Sequence, residues 1–164
     1  MKWHILMGAM VLLFSCKQEP KPENTVTQES QVETEKTVKQ LREELISKGF
    51  QIFDYVDEAT KDTVIMQQYY IAFLKSGPNR SQSKEEADSL QALHLAHLGR
   101  MYELGYADIS GPFGDDGDIR GITIYNTPTL EVADSLANMD PMVKAGRLVI
   151  EMHPWWAAKG FPLR

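Results

Sequence analysis

Residues 63–75, TVIMQQYYIAFLK, are rich in β-branched and aromatic side chains and hold neither glycine nor proline. Such a run fits a pleated, half-buried surface better than a helix, so it predicts a central strand. Its neighbours limit how that strand is used. QIFDYVD and a turn around EATKD precede it and supply a hairpin partner. GPNRSQ follows, and Ser83 with Glu86 three residues later has the form of a capping box, opening a long helix from about 83 to 104 that Gly105 closes. YADISGPF and RGITIYN then give two short strands joined through GDDGD, where Asp116-Gly117 is a hairpin signal. TPTLEVADSLANMD gives a second helix with Thr and Pro at its entrance, DPMVKAG a loop or one helical turn, and RLVIEMH the last strand.

From Thr63 the order is therefore strand, helix, strand, strand, helix, strand. That is the split βαβ pattern of an α+β, ferredoxin-like fold, with both helices on one face of an antiparallel sheet. The other face has no cover within one chain. A face so apolar finds a partner, so a homodimer packed sheet against sheet is expected.

The segment ahead of Thr63 divides into three. Residues 36–62 hold an amphipathic helix, with Val38, Leu41, Leu45 and Ile46 at helical spacing, and the first strand of the hairpin. Residues 17–35, KQEPKPENTVTQESQVETE, have no aromatic residue and two valines, too little apolar surface to fold, and with residue 16 form a tether. Residues 1–15 combine a charged start at Lys2 with an apolar run from Ile5 to Phe14, too short to span a bilayer and shaped like a secretory signal. The run ends in LLFSC, which resembles the lipobox of bacterial lipoproteins. Cys16 is then the lipidation site, and the expected location is the bacterial envelope, periplasmic or surface-exposed, held to a membrane by acyl chains alone.

Cys16 is the only cysteine, which leaves no intramolecular disulfide and no cysteine nucleophile. Residues 1–15 contain one lysine and no acid, so the remainder carries 16 basic against 23 acidic side chains, a net −7. That balance argues against nucleic acid or anionic headgroups as the main partner. RGITIYN has a faint likeness to an RNA-recognition strand, but isoleucines Ile122 and Ile124 stand where stacking aromatics belong. GDDGD is too short for a calcium loop and is better explained as a hairpin turn, although Asp115 could face a pocket.

Two of the four histidines, His94 and His97, sit three apart on the long helix. Leu90, Leu93, His94, His97, Leu98 and Met101 fall on one broad face, which points His94 at the sheet. A buried imidazole needs a partner: a backbone carbonyl gives a purely structural histidine, a carboxylate a general base near neutral pH. His97 lacks a clear third ligand, so no metal is expected. Asn79, Arg80, Ser81 and Gln82 stand between the first long strand and the helix, where an arginine and a helix N-terminus suit an anion. His153, Trp155 and Trp156 close the last strand as packing residues.

HLAHLGRMYELG, the GP in SGPF and the DP in MDPMVKAG, in this order and spacing, resemble a YCII-related (YciI-like) domain from about Tyr70 to Trp156. GPNRSQ, GPFGDDGD and RLVIEMHPWW are similar to a bacterial subgroup of that family. The resemblance marks 63–164 as the domain and implies a dimeric α/β-barrel-type fold. It also implies an active site built on a His–Asp dyad, here His94 and Asp140. A few relatives act on chlorinated aromatic or lactone-type molecules, so a small anionic or cyclic ligand is implied, with no cofactor. On this view Arg80, Ser81, Asn79 and Asp115 are ligand-binding candidates. Two functions remain open: general acid/base chemistry of isomerase, lyase or hydrolase type, or a non-catalytic small-ligand or structural dimer module.

Overall fold

The structure, a computed structural model, describes residues 36–161 and 163. The leader, Cys16 and the tether lie outside these residues. Helix α1 (Val38–Ser47) starts at a reciprocal capping box, in which Thr37 and Gln40 satisfy each other's backbone N–H groups. A hairpin of β1 (Ile52–Val56) and β2 (Thr63–Ser76) follows, in the register Ile52 to Gln67 through Val56 to Thr63.

The remaining elements are α2 (Lys84–Glu103), β3 (Ala107–Pro112), β4 (Ile119–Tyr125), α3 (Leu130–Ala137), the single turn α4 (Pro141–Lys144) and β5 (Leu148–Ala158). The fold is α+β with one antiparallel sheet. β2 is its axis: β5 runs along one edge, opposite Met66 to Ser76, while β1 and β4 share the other edge in tandem, and β3 lies outside β4. The 14-residue length of β2 makes that double pairing possible.

Alternation along β2 sorts its side chains onto two faces. Tyr70, Ala72 and Leu74 face the helices and form the main core with Met101, Ala107, Tyr125, Ala133, Ala137, Met142 and Leu148. Ile71 and Phe73 point the other way, beside Ile122 and Ile124 in register, with His153 edge-on to the Phe73 ring. On this second face Ile109, Val149 and Trp155 are exposed, so much of it is uncovered. Trp155 packs against Tyr69, and Trp156 against Phe53 of β1. Among the described residues no helix is long and apolar enough to cross a membrane.

The end of β2 is tied to the entrance of β5 by a close backbone approach. The Gly77 amide donates to the Arg147 carbonyl at 2.9 Å, and a Cβ on Gly77 would lie 2.2 Å from the Gly146 carbonyl oxygen. Only glycine fits there. Gly77→Ala should therefore destabilise the fold by about 2–3 kcal/mol, the scale of overpacking against an atom that cannot move aside. Urea unfolding measures this, and an unchanged midpoint would show that the β2–β5 junction is looser than described.

Candidate active site

The loop GPNRSQ does several jobs in sequence. Gly77 makes the close approach; the Asn79 amide then donates to the Gly146 carbonyl and its side chain to the Ala145 carbonyl, both at 3.0 Å. The Asn79 side-chain oxygen accepts from the Ser81 backbone and hydroxyl, at 3.3 and 2.9 Å. Asn79 and Ser81 thus hold the loop to the β5 entrance. The Gln82 side-chain oxygen accepts from the Arg147 guanidinium at 3.0 Å, and Ser83 caps α2 through the capping box with Glu86.

That staple fixes how α2 lies over the sheet and buries His94, which is 8% exposed. Its Nδ1 lies 2.5 Å from Oδ2 of Asp140, itself 3% exposed. Asp140 is held from the other side as well, because it is the N-cap of α4, followed by Pro141 at the first helical position, and its Oδ1 accepts from the Met142 amide at 2.8 Å. An ionised carboxylate can only accept, and opposite one Nδ1 is the nitrogen that would donate. Nε2 has no hydrogen-bond partner among the described residues and is not one of their fully sealed polar atoms.

His94 borders a cleft of about 510 Å³, a size that suits a small ligand. Leu74, Leu95, Leu98, Met142 and Leu148 give it apolar walls, and Arg80, Arg120 and Arg147 give it cations. β4 presents Gly121 to the cleft, opposite Leu74. A Cβ there would lie 2.6 Å from the Gly111 carbonyl oxygen.

Of the residues singled out from sequence, the structure brings His94, Asp140 and Arg80 to or beside this cleft. It gives Asn79 and Ser81 loop-holding bonds, and Asp115 closes its own turn by accepting from the Gly117 amide at 3.3 Å. His97 sits one turn along α2, half-buried, with its Nε2 buried and unpartnered. Burial pushes its imidazole below the ordinary 6.5, and the nearby Asp140 carboxylate only partly opposes this. His153 stands on the other face of the sheet, 2.9 Å from Glu151, so it does not join the pair on α2. Among the described residues no three His, Cys, Asp or Glu side chains are grouped to hold a metal. Leu93, expected on the buried face, is exposed, because the sheet covers a narrower stripe of α2 than the sequence spacing suggests.

Arg147 and Arg120 were not singled out from sequence. Arg147 reaches the cleft through a contact with Gln82, 65 positions away, and no local pattern announces it. The Asp140 cap, by contrast, had a sequence signal: Asp followed by Pro at the head of a short apolar stretch.

No protein-family model and no curated protein matches the chain. Among solved structures it is similar to the 5-chloro-2-hydroxyhydroquinone dehydrochlorinase of Burkholderia phenoliruptrix AC1100, solved in complex with 2,5-dihydroxybenzoquinone. Identity is 23%, the TM-score is 0.39, and the match covers 54% of this chain and 92% of that one.

Removing the Asp140 carboxylate should have two separable effects. Asp140→Ala loses both the cap of α4 and the partner of a buried imidazole, for about 3–5 kcal/mol in all. Asp140→Asn keeps a good cap and an acceptor for Nδ1–H, and should cost about 1–2 kcal/mol. Urea unfolding of both variants, with 15N spectra reporting the Nδ1–H tautomer of His94 in the parent and in Asp140→Asn, checks the assignment. Equal losses in the two variants would remove the pairing from the account.

Proposed function

We propose that this chain is a YCII-related protein whose ferredoxin-like domain carries out general acid/base chemistry on a small molecule, with His94 as the proton-transferring group and Asp140 as its orienter. The observation that carries this reading is the 2.5 Å contact of His94 Nδ1 with the Asp140 carboxylate, beside a cleft that Nε2 is free to serve. A carboxylate on one ring nitrogen fixes the tautomer and stabilises the imidazolium that forms when the other nitrogen takes a proton. Abstraction of a proton, followed by isomerisation, elimination or hydrolysis, suits that arrangement. The order β5-β2-β4-β3, with α2 and α3 packed on one face, supports the ferredoxin-like description.

A panel of compounds tests this without fixing the natural substrate first. Small cyclic carbon acids, lactones and phenols are incubated with the full chain in D2O and followed by proton NMR for exchange or product. His94→Gln should lower any observed turnover by about 10²–10⁴-fold. Turnover that survives the substitution would rule out His94 as the acid/base group, and no turnover across the panel would favour a binding module that uses the same cleft.

The exposed apolar face of the sheet supports a homodimer, since Ile109, Val149 and Trp155 on it are uncovered and would be buried against a second copy. Attachment to the envelope through Cys16 rests on the LLFSC sequence and the polar tether after it. In sedimentation, the Cys16→Ser full chain should run as a dimer that Phe73→Asp converts to monomer. In cells the same Cys16→Ser change should release the protein from the membrane fraction. A monomeric parent, or a membrane fraction unaffected by losing Cys16, would each remove the corresponding part of the proposal.

A further inference from the structure

The cations around the His94 cleft are not equivalent. Arg120 donates to the Gly117 carbonyl at 3.1 Å and lies 4.0 Å from Asp116, so its guanidinium is engaged by the β3–β4 turn. Arg80 is exposed and has no hydrogen-bond or ion-pair partner among the described residues. Arg147 is half-buried, and its one bond is to the neutral Gln82 side chain, through a single guanidinium nitrogen at 3.0 Å. The carboxylate that lines the cleft, Asp88, is paired with Lys84 one turn earlier on α2. Asp140 is occupied by His94 and the α4 cap.

A guanidinium has five N–H donors in a rigid fork. Arg147 therefore keeps most of its donors unspent, and Gln82 fixes the direction in which they point. Partial burial of a cation without a counter-ion is unfavourable unless something fills the gap, and a planar oxyanion accepting two parallel bonds does so best. Next to Arg147, Leu74, Leu98, Met142 and Leu148 form an apolar wall against which an apolar body can lie, while Gln91 and Ser110 line the cleft elsewhere.

We propose that Arg147 is the anchor of a carboxylate subsite, with Arg80 as its exposed second cation. The ligand class is then a small amphipathic monocarboxylate with an apolar ring or branched body. The carboxylate sits on the Arg147 fork, and the body lies along Leu74 and Leu148 within reach of His94. This deepens the functional reading by naming the substrate class. The anion subsite itself needs nothing from His94, so it stands or falls separately.

Benzoate is the probe, with benzamide as a neutral molecule of the same shape, titrated into the full chain by calorimetry and by 1H–15N spectra. Benzoate should bind at least tenfold more tightly than benzamide, with amide shifts clustered at Gly77, Gln82 and Arg147. Arg147→Gln should weaken benzoate by at least tenfold and leave benzamide unchanged, which a merely structural role for Arg147 would not do. Arg147→Lys keeps the charge without the fork, and should fall between the two and guard against misfolding of the glutamine variant. Gln82→Ala, which frees the fork, should cost a few-fold. No benzoate binding to the parent, equal binding of benzoate and benzamide, or benzoate binding indifferent to both Arg147 substitutions overturns the proposal. Panel turnover measured on the same parent sample distinguishes the two ideas. Arg147-dependent benzoate binding without turnover sinks the catalytic reading alone, and His94-dependent turnover of neutral compounds without benzoate binding sinks the carboxylate subsite alone.

Discussion

The Asp140 carboxylate joins α2 to the single turn α4, beside the core in which Met101 and Met142 also bring them together. One oxygen caps the single turn α4, and the other lies against Nδ1 of His94, 46 positions earlier in the chain. A four-residue helix has little stability of its own, since nucleation alone costs more than its few hydrogen bonds return. It persists here because Asp140 and Pro141 preset its first turn and Met142 is buried in the core. The orientation of the His94 ring and the seat of α4 against α2 both depend on that carboxylate being buried with both oxygens satisfied.

A second constraint is backbone contact at the β2–β5 junction. Gly77, Asn79 and Gly146 bring the loop before α2 against the entrance of β5, so Gln82 and Arg147 meet. The same loop ends in Ser83, which caps α2 and sets where the helix begins. The position of His94 along α2 is thus fixed from both ends: by its cap through Ser83, and by Asp140 through its side chain. Double support of this kind holds the imidazole in one place and one orientation.

The parts of this arrangement that could be read in the sequence are those whose physics is local. The β2 run, the Ser83–Glu86 box and the hairpin at Asp116-Gly117 each depend on residues within a few positions, and each stands in the structure near where its signal lies. Periodicity was less exact. It placed Leu93 on the buried face of α2, but the cover over that helix is narrow, and Leu93 and Leu95 are exposed. What sequence spacing could not supply was long-range: the 65-residue separation of Gln82 and Arg147, and the close approach that only Gly77 permits. Asn79 and Ser81 drew notice as ligand-type residues, and in the structure they bond to each other and Asn79 ties the loop to the β5 entrance. A polar side chain in a loop has two claims on it, the backbone and a ligand. Near a tight backbone junction the backbone claim is satisfied first.

The same reasoning separates the two histidines of α2. Both imidazoles are largely withdrawn from water, but only His94 is given a carboxylate on one nitrogen and an open cleft beside the ring. His97 has a buried Nε2 with no partner, and burial holds it below its ordinary value, so folding favours its neutral form. Its contribution to stability is therefore whole above about pH 6.5 and is lost as pH falls toward the folded-state value. A proton arriving at this helix meets two different environments three residues apart. Charge on His94 is compensated by Asp140, while charge on His97 is opposed by its surroundings. That asymmetry sets the two imidazoles of α2 apart, and the one with a carboxylate partner is the one at the cleft.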